Sequence, residues 1–168
     1  MGLPTTLSEI APRISAGAFI LNSGLGKRGA DAETAAGIHG FAAGTYPFLK
    51  SIPPQQFAKG LATSEIALGA LLLTPFVPTA VAGAALTAFS GGLLGLYLRT
   101  PGMRKPGSLA PTEQGLSIAK DSWLFGIGIG LLTRGLIART PRMTVKKANK
   151  LAKKQAKQAA REARRSAT

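Results

Sequence analysis

The residues able to do chemistry are few, and they sit in unusual surroundings. Arg13, Glu65, Lys120 and Asp121 fall within or beside apolar stretches, and Lys27 stands at the border of one. Ionisable side chains in such stretches are costly to bury, so they pair with one another or face water. Glu65 is therefore expected to be neutralised by Arg13 or Lys27. The functional reading is a small polar pocket near one end of a bundle, with Arg13, Lys27 and Glu65 as candidates for holding a quinone headgroup or relaying protons. The plainer reading, which we favour, is a structural ion pair that fixes helix register, or side chains that reach for lipid headgroups. Lys120 and Asp121 are adjacent, point about 100° apart on a helix, and so cannot both face one site squarely.

Little else in the chain suggests a reaction. His39 is the single histidine, and it lies in a Gly/Ala-rich segment with no second histidine for paired ligation. It reads as an interfacial side chain rather than an axial ligand or proton carrier. Tyr46 and Phe48 read as interface anchors rather than a platform for a quinone ring. Gly24-Leu25-Gly26-Lys27 lacks the flanking pattern and preceding strand of a phosphate loop. No nucleophile–base pair or metal-ligand spacing is present. The expectation is a non-enzymatic chain with no catalytic residue, no metal site and no resident cofactor, a quinone being the one small molecule entertained. With no cysteine, disulfide and thiol chemistry are excluded.

The elements that position these residues follow from hydropathy and proline. From Leu61 to Leu98 the only ionisable residue is Glu65. A bilayer needs about 20 apolar residues in one helix, and this run is nearly twice that. Thr74-Pro75-Phe76-Val77-Pro78 divides it, because each proline removes an amide donor and disfavours helix just before its ring. The run is expected to form a helical hairpin of two antiparallel spans, about 56–74 and 79–98, the first opening after Ser51-Ile52-Pro53-Pro54. A fourth span is expected at about 115–138, with Trp123 near one end and Arg134 and Arg139 near the other as interfacial anchors. The first span, about 9–27, has only Ile14–Gly26 as an apolar core. It reaches across if Arg13 and Lys27 snorkel or if the helix extends back to Leu7. Residues 30–50 are expected to form a helix lying on or against the bundle. Glycines are frequent in the spans, and Gly91 with Gly95 forms a small-xxx-small pair suited to close helix packing. The fold class is thus all-α, an integral membrane four-helix bundle over residues 1–139.

Residues 140–168 differ in kind. The chain carries a formal charge of +14, and about half of its Lys and Arg fall in the last thirty residues. On a helical projection Lys146, Lys147, Lys150, Lys153, Lys154, Lys157, Arg161, Arg164 and Arg165 share a stripe roughly 120° wide. Alanines fill the opposite side. This is a basic amphipathic extension suited to a partner protein or anionic lipid headgroups, with nucleic acid a weaker alternative. The excess of Lys and Arg places the C-terminus in the cytoplasm. The richness in Ala, Gly, Leu and Arg suggests a high-GC bacterial genome, so the expected location is the bacterial plasma membrane.

Several of these residues also form a familiar pattern. Arg13, Gly17, Phe19, Gly24 and Lys27 resemble the first-helix signature of the DoxX-like family of small membrane proteins, and Glu65, Gly69 and Leu72 resemble the start of its second helix. The proline-broken run and the Lys120 opening of the last span fit as well. The resemblance covers about residues 8–138. It implies a four-helix bundle and an association with quinone-linked or thiol-related membrane oxidoreductases. The 29–50 segment and the basic tail depart from the common pattern.

The function expected from the sequence is a non-catalytic accessory or structural subunit of a larger membrane complex, a respiratory or quinone-linked one, with the basic tail docking on a partner or on anionic lipid. The alternatives are a membrane component of a quinone-linked oxidoreductase and a membrane-anchored binder of anionic lipid or RNA.

Overall fold

The computed structural model describes residues 7–137 and 148–158. The described residues are all-helical, and their only β pairing is an isolated bridge between Arg104 and Pro111. Helix α1 covers Leu7–Lys27, α2 Ala32–Thr45, α3 Pro54–Leu73 and α4 Thr79–Arg99. A short α5, Leu116–Ala119, precedes α6, Ser122–Ile137, and a 3₁₀ turn over Pro47–Ser51 links α2 to α3.

Helix α1 begins at Leu7, so it takes the longer of the two courses open to it. Its 21 residues span about 32 Å at 1.5 Å per residue. Helix α2 starts on Asp31, whose carboxylate accepts the amide of Thr34 at 2.8 Å, the usual N-cap arrangement. That hydrogen bond holds the Asp31 carboxyl below the ordinary carboxylate range. Helix α2 packs mainly on α3, and less on α4.

The four long helices are arranged as two pairs. Helix α1 runs along α3 and α4 runs along α6, while α3 and α4 touch little although only a short turn separates them. The expected α3–α4 hairpin is therefore two consecutive helices that each pack on a different neighbour. Glycine placement gives the reason. A methyl group at Gly69 would lie 2.7 Å from the backbone nitrogen of Leu21, and one at Gly24 would lie 2.8 Å from the Ala62 carbonyl oxygen. Both glycines face α1–α3 contacts. In the other pair, a Cβ at Gly83 would collide with the backbone of Leu131 and Leu132, and one at Gly135 with the backbone of Ala80. A Cβ at Gly128 would likewise lie 2.7 Å from the Thr87 amide nitrogen. The helices meet backbone to backbone, which only small residues permit.

The pair singled out by spacing, Gly91 and Gly95, has a different use. A Cβ at Gly91 would find only the Phe125 ring at 3.6 Å, and Gly95 leaves room for the Tyr46 hydroxyl. That hydroxyl donates to the Gly92 carbonyl at 2.9 Å and ties the end of α2 to α4.

Ala16, Ile20, Leu68, Leu72, Ala82, Leu86, Leu124 and Leu131 form the buried core between the pairs. Much of the apolar complement stays outside. Phe19 is 61% exposed and Trp123 73%, and Ile14, Val81, Ile129 and Leu136 are exposed as well. By length and apolarity, among the described residues, α4 is the one helix that qualifies as a membrane span.

The glycine contacts lead to a clear contrast. Gly83→Ala is expected to lose about 1–3 kcal/mol, the usual cost of forcing atoms into a packed contact. Gly126→Ala, where a Cβ meets open space, is expected to be neutral or mildly stabilising. Loss of helicity on titration with a denaturing detergent checks this. Equal midpoints for the two variants would contradict the backbone-contact account.

Candidate functional site

The buried ionisable groups gather at the two ends of the bundle. At the first end, Arg13 leaves α1 fully buried and turns toward the C-terminus of α3. Helix ends leave carbonyls without intrahelical partners, and the guanidinium is a planar fork of donors. Its Nε donates to the Leu72 carbonyl at 2.9 Å and Nη1 to that of Val77 at 3.0 Å. Nη2 donates to Leu71 at 3.3 Å and to Thr74 at 2.7 Å. Arg13 thus closes the last turn of α3 and the proline turn behind it. Glu9, four residues earlier and so on the same helix face, is also buried. It accepts the Thr79 hydroxyl at 2.9 Å and pairs with Arg134 of α6 at 3.4 Å.

At the second end, Lys27 from the last turn of α1 meets Glu65 of α3. The ammonium lies 2.9 Å from Oε2 and 3.1 Å from Oε1, and it also donates to Ser23. Glu65 is buried, with its side chain 7% exposed against 27% for Lys27. The closeness of Gly24 to Glu65 Cβ lets the two backbones approach enough for this pair to form.

A cavity of about 550 Å³ opens beside this pair, between α1, α2, α3, α4 and the α5–α6 junction. Its wall is mostly apolar, with Lys27, Glu65 and Asp121 as its ionisable members. A turn at Lys120–Asp121 separates α5 from α6, so the fourth expected span is broken rather than continuous. The break orients the two neighbours differently. Asp121 lines the cavity and feels the charges of Lys27 and Glu65, whereas Lys120 is exposed.

Of the three sequence candidates, the structure joins Lys27 to Glu65 and separates Arg13 from both. Lys27 is fourteen helical steps, about 21 Å, along α1 from Arg13, and the guanidinium is committed to carbonyls. A single headgroup site holding all three is not formed. Sequence reasoning missed Glu9, and the signal was its i, i+4 spacing to Arg13. His39 Nε2–H donates to the Leu49 carbonyl at 3.0 Å, and the ring packs edge-on to Phe57, ring centres 5.5 Å apart. Both contacts hold α2 and the 3₁₀ turn against α3. Tyr46 is likewise engaged, and Phe48 is 72% exposed.

Residues 148–158 are helical and exposed throughout, and they carry Lys150, Lys153, Lys154 and Lys157. Arg139, Lys146, Lys147, Arg161, Arg164 and Arg165 lie outside the described residues. Among the described residues no cluster of three or more His, Asp or Glu side chains is arranged to hold a metal ion. No protein-family model, curated protein or solved structure matches the chain.

The Lys27–Glu65 pair is testable through its neighbour's dependence on it. Lys27→Met leaves a buried carboxylate without a counter-charge, which is expected to cost about 3 kcal/mol, the low end for breaking such a pair. Adding Glu65→Gln removes that unpaired charge, so the double variant is expected to recover much of the loss. A double-mutant cycle on detergent-unfolding midpoints measures the coupling; additive single effects would mean that the two side chains do not interact.

Proposed function

We propose that the chain is a non-catalytic accessory subunit of a larger bacterial membrane complex. In this reading the four long helices lie in the plasma membrane and hold a cationic helix at its cytoplasmic face. The observation that carries it is the division of surfaces. Large apolar side chains, Ile14, Phe19, Val81, Trp123, Ile129 and Leu136, are exposed along the bundle, while exposed cationic side chains of its long helices, Lys59, Arg99 and Arg134, fall in the first or last two turns. The described part of the tail exposes four lysines and no apolar residue larger than Leu151. A largely apolar flank, with Glu9, Arg13, Lys27 and Glu65 satisfied inside, suits lipid, where unsatisfied polar groups are costly. A smooth cationic helix suits an acidic partner surface or anionic lipid.

Chain direction supports the proposed topology. Residue 7, the 74–78 turn and residue 137 all fall at the Arg13 end of the bundle, so an even number of crossings brings the tail to the same side as the start of α1. Placing that side in the cytoplasm follows the Lys and Arg excess of the tail. The DoxX-like resemblance is the same proposal at the level of family, and a respiratory or quinone-linked complex is the assembly it suggests. A shared fold would not by itself carry the family's chemistry.

A second reading, a membrane component of a quinone-linked oxidoreductase, draws on the cavity beside Lys27 and Glu65. It loses Arg13 from its headgroup set, for the reason given above.

Purification of the tagged chain in a mild detergent is expected to recover other membrane proteins in fixed stoichiometry. A version ending at Thr144 is expected to remain in the membrane fraction and to lose those partners. If the full chain migrates alone as a small particle, the accessory role is wrong. If it instead binds anionic vesicles or RNA through the tail, with steep salt dependence, the third function considered from the sequence replaces it.

A further inference from the structure

The cavity beside the Lys27–Glu65 pair has a polarity that points to one class of ligand. Lys27 has three donors, and it directs them to both oxygens of Glu65 and to Ser23. The ammonium is therefore already engaged and offers little to an incoming anion. Asp121 is the opposite case. Its carboxylate lines the same cavity, partly withdrawn from water and acted on by the charges of Lys27 and Glu65, and among the described residues no hydrogen bond reaches it. One cation faces two carboxylates, so the ionisable part of the wall carries one surplus negative charge.

The rest of the wall is chosen from side chains that suit a large apolar body. Phe41, Phe57 and Phe89 line the cavity, and Phe19, largely exposed, stands at its rim. Aromatic rings attract cations through the negative potential of their faces, more strongly when water is excluded. A volume of about 550 Å³ falls within the range of small-molecule sites.

We propose that this cavity binds a monovalent organic cation with an apolar or aromatic body, its charge paired with Asp121 and its body packed among the phenylalanines. Anionic ligands are disfavoured by the surplus carboxylate, and a neutral ligand leaves Asp121 without a partner in an apolar wall. The site is independent of what the tail docks on, and it stands or falls separately from the accessory role.

Ethidium, a planar aromatic cation with its own fluorescence, is a suitable probe. The full chain, reconstituted in nanodiscs of zwitterionic phosphatidylcholine, is titrated against ethidium and followed by fluorescence anisotropy. Saturable binding of one ethidium per chain is expected. Phenanthridine, the uncharged parent ring system at neutral pH, is expected to compete at least tenfold more weakly. Asp121→Asn is expected to weaken ethidium at least tenfold, Asp121→Glu to retain most of the affinity, and Lys120→Gln, whose lysine is outside the wall, to leave it unchanged. The inference is overturned if ethidium shows no saturable binding, if phenanthridine competes equally well, or if folded Asp121→Asn binds as the parent does. The comparison of the two ligands on the unaltered protein decides the matter even if Asp121→Asn does not fold.

Discussion

Helix α3 ends on carbonyls that its own backbone cannot satisfy, and the Arg13 guanidinium supplies the missing donors. Four hydrogen bonds from one side chain gather Leu71, Leu72, Thr74 and Val77, so the turn containing Pro75 and Pro78 has a fixed path. That path sets where α4 begins. Thr79, the first residue of α4, then falls within reach of Glu9, and Glu9 in turn meets Arg134 of α6. One end of all four long helices is thus tied together by polar groups drawn mainly from a single turn of α1. Removing the arginine would take the side-chain donor from the buried Leu72 carbonyl and from the half-buried carbonyls of Leu71 and Val77, and a buried acceptor left unpaired costs more than its hydrogen bond contributes.

The opposite end is built on a different balance. The two tightly packed helix pairs are closed along their length by glycine contacts, and they diverge enough beside Lys27, Glu65 and Asp121 to leave a cavity. Helix α2 covers it from one side, held by Tyr46 and His39. The same small residues that draw the backbones together in one region therefore leave space in another. Close contact at Gly24 brings Lys27 to Glu65, and the interruption at Lys120–Asp121 turns a third charge toward them. Packing and charge placement are one arrangement here, not two.

Much of this was legible from residue order. Proline spacing marks the 74–78 turn, and the helix bounds fall within a few residues of those expected from hydropathy. Residue order narrows the partner of Glu65 to Arg13 or Lys27, and Lys27 is the one that meets it. What spacing could not supply was the choice of neighbour. Gly69 and Gly83 look alike in the sequence, yet one faces α1 and the other α6, and that difference replaces a hairpin with two separate pairs. Gly91 and Gly95 have the spacing of a packing motif, but the room at Gly95 goes to a tyrosine. Arg13 and Lys27 look equivalent as charges bordering an apolar run. Only the three-dimensional path of α3 shows that one meets its carbonyl end and the other a carboxylate. Asp121 gained its significance from a helix break that the glycine-rich stretch following it did not announce.

Everything proposed for the bundle depends on its apolar flanks facing lipid. The absence of cysteine from the sequence allows single labels to be placed cleanly. Spin labels on Phe19→Cys, Val81→Cys and Ile129→Cys in lipid vesicles should be relaxed strongly by oxygen and weakly by a water-soluble nickel chelate. A label on Gly107→Cys, in the loop after α4, should show the reverse. If the three helix positions proved as accessible to the nickel reagent as the loop, the bundle would not be embedded and the membrane account would fail.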